Sequence, residues 1–568
     1  MTIHSRFSTP VPNCSIQEWI FSSSTGGRDD KKAWIDANRP DTHFLTFSQA
    51  RLLAKRIAVG LLEHGLEPGD RVLLFTGNSI FFPVIVLGIW MAGGIFTGAN
   101  PAFSVGELLF QLEDSGASFL IAAEANLDVA LSAAQLVGLR SDKVFVSGTD
   151  MPDDPAARAA RPLLPGGARH WTALIAPRDK GEQFDWTEPV DARDAICTLN
   201  YSSGTTGLPK GVEITHYNHV ANGVGIVALN KLHADYEARR HRGAALCFLP
   251  MYHAFCQGYF ISSFPHEQIP IYVMSRFDLV KMLAYIQTYR ITKLMAVPPV
   301  MVLLSKHPLC RRANLSSLEM IASGAAPLPP DTQNDINHLL LGHGGAKLRQ
   351  GWGMTEVTCT AIAWDPNRPS SRGVGELMPD CQARLVHTET MEAITQPRVP
   401  GELWIAGPSV MRGYWGNPHA THQAFVMDDD GTVWLRTGDI AYVEEYSSGT
   451  LFHIVERYKE LIKVDGHQVA PAELEALLVQ RQDVADAAVI GAVVNHEEVP
   501  RAYVVRTPGT TASADDITRW LADRVVRYKQ LTGGVVFVDE IPKNPSGKIL
   551  RRVLRQRATR ELGFRAAL

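Results

Sequence analysis

The stretch Ser203-Gly204-Thr205-Thr206-Gly207-Leu208-Pro209-Lys210-Gly211 packs three glycines, three hydroxyls and one lysine into nine residues. Glycines let a backbone approach an anion closely, hydroxyls donate to its oxygens, and a lysine adds a point charge. The chemistry this suits is phosphate handling. It is not a Walker A loop, which needs Lys directly after its second Gly and then Ser or Thr. Here Lys210 precedes Gly211, and Val212 follows. A second loop, Pro542-Lys543-Asn544-Pro545-Ser546-Gly547-Lys548, sets Lys548 in a Pro/Gly frame rather than among the solvated charges of an ordinary tail. His253 and Cys256 have the spacing of a metal pair or of a nucleophile and its base. Two ligands without partners, and no orienting third group, argue against both.

These loops need elements to hold them. Apolar strand-like runs at 71–75, 119–122, 244–249, 269–273, 293–297 and 318–321 alternate with longer segments of helical character. That alternation predicts an α/β fold with parallel sheets. The spans 401–413 and 431–452 read as antiparallel hairpins of a β subdomain, and residues 151–167 as an exposed connection. From Arg457 the pattern restarts: a helix over 471–480, strands near 487–494 and 501–505, and a helix over 515–527. The expected architecture is a large N-terminal domain, residues 1–456, of layered α/β subdomains plus a β subdomain. A small mobile α+β C-terminal domain, residues 457–568, follows.

At 568 residues the chain is too long for one core, and 45% hydrophobic residues suffice to build several. A net charge of −4 gives no argument for nucleic acid or an anionic membrane. The basic run Arg551, Arg552, Arg555, Arg557 and Arg560 reads as the solvated face of a last helix. The most apolar run, 80–96, is broken by Pro83, Gly88, Gly93 and Gly94, so it reads as a buried helix rather than a membrane span. Seven cysteines without regular spacing suit a reducing, cytoplasmic compartment. The terminal Ala566-Ala567-Leu568 is a weak peroxisomal signal that lacks the basic middle residue.

With Tyr201 and Ser202 in front, the segment 201–212 resembles the phosphate-binding signature of the acyl-adenylate-forming (AMP-binding) superfamily. Four further segments resemble that family in the same order: 350–356 (Gln-Gly-Trp-Gly-Met-Thr-Glu), Thr437-Gly438-Asp439, the span 457–475, and the Lys548 loop. Ser323-Gly324-Ala325-Ala326-Pro327-Leu328 and Gly413-Tyr414-Trp415-Gly416-Asn417-Pro418 narrow the match toward the 4-coumarate:CoA ligase-like acyl- and aryl-CoA ligases.

The resemblance implies an AMP-forming acid–thiol ligase that uses ATP, Mg²⁺ and CoA. It implies that Ser202, Ser203, Gly204, Thr205, Thr206, Gly207 and Lys210 bind the β- and γ-phosphates. Gln350, Gly351 and Trp352 would close on adenine, and Thr355 would contact the α-phosphate. Glu356 would hold the metal, Asp439 would accept both ribose hydroxyls, and Arg457 would reach the ribose or phosphate. Lys548 would be the catalytic cation of adenylation, and His253 would stand beside the carboxylate. Lys459, Lys463 and Gln468 would serve the thioester-forming state, reached by rotation of the small domain about a hinge. Glu456 stands at that hinge where relatives carry Asp.

The same resemblance lines the acyl pocket with Phe255, Tyr259, Ala325, Cys359 and Thr360. No Asp appears from Pro250 to Phe260 to pair a substrate ammonium, so an amino acid is not expected. The lining suits an aryl, arylalkanoic or medium-chain acid. Trp352 in place of Tyr, and Cys359-Thr360 in place of Pro-Val, argue against 4-coumarate itself. CoA is the leading acceptor; a carrier protein, an amine, or oxygen in a luciferase-like reaction remain alternatives.

Overall fold

The protein is described by a computed structural model covering residues 1–22, 31–149, 151, 164–202, 208–341, 346–369, 373–464, 467–494, 497–544 and 547–565. The strand-like runs fold as strands, and their buried patterns explain why. Arg71–Phe75, Phe119–Ala123 and Ile95–Gly98 are apolar on both faces, as strands covered by helices on either side must be. They pair in parallel in an eight-stranded sheet that also carries Ile196–Ser202 and, antiparallel to it, Lys210–Thr215. A second, seven-stranded sheet runs Leu348–Gln350, Met320–Ser323, Lys293–Ala296, Ala245–Cys247, Ile271–Val273, Lys32–Asp36 and Phe44–Thr46. All its pairs are parallel except the last.

The apolar run at 80–96 contributes the helix Phe82–Met91, whose ten residues are all buried. Its Trp90 indole donates to the Cys197 carbonyl at 2.9 Å, and Ile57 occupies the space a side chain at Gly88 would need. Among the described residues no helix is long and apolar enough to cross a membrane.

The third layer is antiparallel: Ile3–His4, Gln382–Val386, Gly401–Ala406, Val433–Val443 and Phe425–Met427, with Phe452–Arg457 paired to Val433–Val443. The hairpin expected over 401–413 does not close. Gly413–Tyr414 instead crosses to pair with Val212 and Glu213. The Arg412 amide donates to the Glu213 carbonyl and its guanidinium pairs with the Glu213 carboxylate at 3.1 Å. This crossing brings the Tyr414 ring beside Lys210.

The C-terminal portion has its own cores. Val464, Leu474, Val489, Val504, Ile517 and Leu521 form one, and Ile490, Tyr503, Ile541 and Leu554 another. The helix Pro471–Leu478 and the strands Val484–Val494 and Glu497–Arg506 follow the expected pattern, and the last helix is Arg551–Arg565. Arg551 corrects the reading of a solvated basic face. It is buried, because Glu460 at 2.6 Å and Glu475 at 2.8 Å bind its guanidinium; Arg552, Arg557 and Arg560 are exposed. Of the connection expected at 151–167, residues 152–163 lie outside the described residues.

Candidate active site

A cleft of about 3000 Å³ runs between the large domain and the C-terminal portion, and its walls divide by chemistry. On one side stand the charged residues. Asp439 and Arg457 are register partners on neighbouring antiparallel strands, which places Arg457 Nε 3.0 Å from Asp439 Oδ1. That contact lies off the N–H direction, so Oδ1 remains a buried acceptor without a hydrogen bond among the described residues. Asp439 Oδ2 accepts from the Trp352 indole at 2.8 Å. The buried carboxylate raises the Arg457 pKa, so that guanidinium stays charged.

Trp352 is held by backbone bonds to Ile362 in both directions, and Gly353 is required next to it. A Cβ at Gly353 would meet the Cys359 carbonyl oxygen at 1.7 Å. The tight turn Thr355–Val357 follows, ending on Thr358 at φ +68°, where the hydroxyl's bond to the Ser409 carbonyl at 2.7 Å holds an unfavourable conformation. This turn aims Thr355 into the cleft and buries Glu356. Glu356 Oε1 accepts from Ser202 Oγ and from Tyr414 OH, each at 3.0 Å. Lys210 Nζ lies 4.0 Å from the centre of the Tyr414 ring. Burial lowers the Lys210 pKa, Lys459 adds to that, and Glu356 opposes it. Ser203 to Gly207 lie outside the described residues. Gln350 lines the cleft, and its carboxamide accepts from Leu328 N and donates to Gln333, both at 3.0 Å.

The other side is apolar. His253 caps the short turn Ala254–Cys256, its Nδ1 accepting from the Phe255 amide at 3.3 Å. Burial pushes its pKa down to about 4, so the ring is neutral at physiological pH with its proton on Nε2. A π-helical turn, Gln257–Ser263, then swings Tyr259 toward Phe255, with ring centres 5.5 Å apart and edge to face. Tyr259 OH meets Thr360 Oγ1 at 3.3 Å, and Cys359 Sγ lies 3.3 Å from the same oxygen. Gly258 is needed here, since a Cβ would sit 2.8 Å from Cys359 Sγ. Ala325 completes the wall at φ +72°.

Two features of this half have no signal in the sequence. Gln257 and Asn200 exchange reciprocal amide bonds at 2.8 and 3.0 Å, and Gln257 also donates to the Tyr252 carbonyl at 2.9 Å. Asn78 clamps the 249–251 turn, donating to Leu249 O and accepting from Met251 N. Asn200, through Gln257, and Asn78 thus position the His253 segment from elements far away in sequence. Cys256 is no nucleophile: its thiol donates to the Leu249 carbonyl at 3.1 Å and burial raises its pKa.

Lys548 enters the cleft from the C-terminal portion. Its amide donates to Asn544 Oδ1 at 2.8 Å, and Gly547 takes φ +80°. Pro299 and Val297 of the large domain pack where a Gly547 side chain would stand. Burial lowers the Lys548 pKa, Arg457 adds to this, and Glu460 and Asp439 oppose it. The ammonium therefore sits within electrostatic reach of the Asp439–Arg457 pair. Lys459 and Lys463 do not join it. Both are exposed, and Lys463 lies opposite Gln468 in the hairpin Ile462–Val464 to His467–Val469. The side chain of Gln468 lies outside what is described.

Comparison with known proteins gives this site its context. Residues 21–415 match the AMP-binding enzyme family, and residues 473–548 the AMP-binding enzyme C-terminal domain. The chain is 35% identical to phenylacetyl-CoA ligase epaB of Aspergillus niger, over 98% of this chain and 99% of that one. It is 34% identical to 4-coumarate–CoA ligase 1 of Petroselinum crispum, over 93% and 91%. Among solved structures, ATP-bound MatB of Rhodopseudomonas palustris superposes with a TM-score of 0.80 at 25% identity, covering 97% of this chain and all of that one. The apo form of the same enzyme gives 0.68. The chain belongs to the AMP-binding, acyl-adenylate-forming enzyme family. Within that family it is an AMP-forming acid–thiol ligase, acting on a small-molecule carboxylic acid, ATP and CoA.

Proposed function

We propose that the chain activates an aryl, arylalkanoic or medium-chain carboxylic acid as its acyl-adenylate and then forms the CoA thioester. The observation that carries this is the entry of Lys548 into the cleft, beside the Asp439–Arg457 pair and across from the apolar chamber. In the first step a carboxylate oxygen attacks the α-phosphorus and pyrophosphate leaves. Negative charge then grows on the oxygens around phosphorus, where a fixed, partly desolvated ammonium is most effective. Lys548 is that ammonium. Asp439 Oδ1, buried and without a hydrogen bond among the described residues, is the acceptor for the ribose hydroxyls. Thr355, Ser202, Lys210 and the 203–207 loop hold the phosphates, and Arg457 the ribose side. Trp352 covers adenine. Gln350 supports this site through Leu328 rather than touching the base. His253, neutral, donates from Nε2 toward the acid's carboxylate.

Glu356 fits a magnesium ion. Its Oε1 takes both hydroxyls while Oε2 has no hydrogen bond among the described residues, and no cluster of three metal-ligating side chains exists among them. One carboxylate completed by phosphate oxygens and water is the donor set Mg²⁺ accepts, and such an ion would neutralise phosphate charge.

For the second step the sulfur of CoA attacks the acyl carbon and AMP leaves, so Lys548 must withdraw. We place the domain boundary, 1–456 and 457–568, at the buried Glu456. Its carboxylate accepts from the Arg457 and Ala472 amides at 2.9 and 3.1 Å. Rotation there would carry the exposed Lys463, and Gln468 opposite it in the hairpin, toward the cleft. The better superposition on the ATP-bound than on the apo form of the Rhodopseudomonas enzyme supports reading this arrangement as the adenylating one. Seven free cysteines speak for a reducing compartment such as the cytoplasm.

The test is acid-dependent AMP release across cinnamates, benzoates, phenylacetate and hexanoate to dodecanoate, with and without CoA, products being read by mass. An acyl-CoA product is expected. Acyl-AMP that accumulates with CoA present would move the acceptor to a carrier protein or an amine.

A further inference from the structure

The segment Met411 to Trp415 leaves the antiparallel sheet to join the hairpin of Ile196–Ser202 and Lys210–Thr215, and its backbone is fixed along its length. The Met411 amide donates to the Glu356 carbonyl at 2.9 Å, and the Trp415 amide to the Gly211 carbonyl at 2.8 Å. Tyr414 lies opposite Val212, and its own amide donates to Thr421 Oγ1 at 2.9 Å. One crossing segment thus ties the Glu356 turn to the Lys210 strand. The side chain it delivers between them is Tyr414.

Tyr414 is 9% exposed and touches both charges by different means. A carboxylate only accepts hydrogen bonds, so the phenol donates to Glu356 Oε1, at 3.0 Å. Ser202, the register partner of Lys210, donates to the same oxygen. Oε1 is therefore saturated and the carboxylate plane is fixed, which leaves Oε2 for another ligand. The ring does the opposite task. Lys210 Nζ stands 4.0 Å from its centre, where the negative face of the ring attracts an ammonium. Glu356 and Lys210 act on each other through space, with no hydrogen bond between them. Opposite charges this close, drawn partly out of water, attract strongly. If they met, each would cancel the other and neither would be free for a ligand. The tyrosine stands between them, offering a donor to the anion and a π-face to the cation.

We propose that Tyr414 is a positioning residue that keeps Glu356 and Lys210 apart, holding the carboxylate open to a magnesium ion and the ammonium open to phosphate. The inference rests on the acid-activating function above, in which Glu356 holds the ion and Lys210 the phosphates. It assigns a task to the Gly413-Tyr414-Trp415 segment, which the chemistry of adenylation leaves unused.

The experiment measures ATP affinity by titration calorimetry with no acid present, once in Mg²⁺ and once in EDTA. Tyr414→Phe keeps the spacer and loses the phenol. Its affinity in Mg²⁺ falls by about tenfold or more, the cost of removing an outer-shell partner of a metal ligand. Its affinity in EDTA is unchanged, because the ring still faces Lys210. Tyr414→Leu removes the ring as well, and affinity then falls in EDTA too, by about two- to fivefold. In a Glu356→Gln background Tyr414→Phe has no further effect in Mg²⁺, since the group it acts through is gone. Equal losses in Mg²⁺ and in EDTA for Tyr414→Phe overturn the inference and make Tyr414 a staple of the strand pairing alone. Wild-type affinity in both conditions overturns it as well. Tyr414→Phe retains the buried ring, so the comparison holds even where Tyr414→Leu fails to fold. Because no acid is present, these outcomes are independent of acid-dependent AMP release, on which the ligase function stands or falls.

Discussion

The two halves of the cleft solve opposite problems. On the nucleotide side the polar groups are already engaged with one another: Trp352 with Asp439, Asp439 with Arg457, Tyr414 and Ser202 with Glu356. Those bonds keep the charges aimed at fixed points before any ligand arrives, and such preorganisation stabilises a developing charge without reorganisation. On the acyl side the polar contacts are few and weak. Tyr259, Thr360 and Cys359 meet at 3.3 Å, around an otherwise apolar space. Shape sets selectivity there, and shape tolerates change better than a charge network does. The lesson is that reaction type and acid choice are built by separate physics in one cavity, so substitutions should separate them.

The largest separation is expected at Lys548. Lys548→Ala should slow overall turnover by at least 10²–10³-fold for every acid alike, about 2.7–4 kcal/mol of lost transition-state stabilisation. Steady-state AMP release across the acid panel checks this; a loss confined to some acids would place Lys548 in the acyl half.

Asp439→Asn comes next. It keeps a polar acceptor but removes the charge opposite Arg457, and kcat/KM for ATP should fall by about 10- to 100-fold, the worth of a charge-assisted hydrogen bond. Competition by deoxyATP should weaken little in the variant if the ribose hydroxyls are what Asp439 reads.

Acid should weaken the wall of the acyl half. His216 and His219 lie on the helix His216–Asn230, with pKa values pushed by burial down to about 4 and about 3. Below pH 6.5 the unfolded chain takes up protons that these folded residues refuse, so stability is complete above that pH. It is lost as pH falls toward their folded values. Between pH 6.5 and 5.5 the pair should cost about 2 kcal/mol. Urea unfolding at the two pH values measures it, and a flat response would show that the histidines accept charge when folded.

The smallest effect belongs to Tyr259→Phe. It deletes a hydroxyl that meets Thr360 at 3.3 Å, and should change kcat/KM by less than about tenfold while reordering the acids. A uniform loss across all acids would mean that Tyr259 supports the His253 turn instead.

The same contrast decides what was legible in the sequence. The nucleotide half was named through the family resemblance, but on contiguous motifs: 350–356 around Trp352 and Thr355, Thr437-Gly438-Asp439, and the span from Arg457. Each is written in adjacent residues or in one hairpin register. The α/β layers and the C-terminal cores followed from apolar runs. The acyl half was legible only by resemblance at scattered positions, since Asn78, Asn200 and Gln257 position it across many elements and the π-helical turn at 257–263 has no periodicity to announce it. Gln350 shows the limit of motif reading, for the bonds that fix its carboxamide, from Leu328 N and to Gln333, come from outside the motif. Arg551 shows another, because the carboxylates that bury it come from residues 460 and 475, far away in sequence.

The central claim is that Lys548 serves adenylation alone and must leave before the thioester forms. Measuring the half-reactions separately tests it most directly: pyrophosphate release from ATP and acid, then thioester formation from supplied acyl-AMP and CoA, in Lys548→Ala and in Lys463→Ala. The account predicts a crossed pattern. Lys548→Ala loses the first half-reaction and keeps the second, and Lys463→Ala does the reverse. Equal loss of both half-reactions in Lys548→Ala would contradict it.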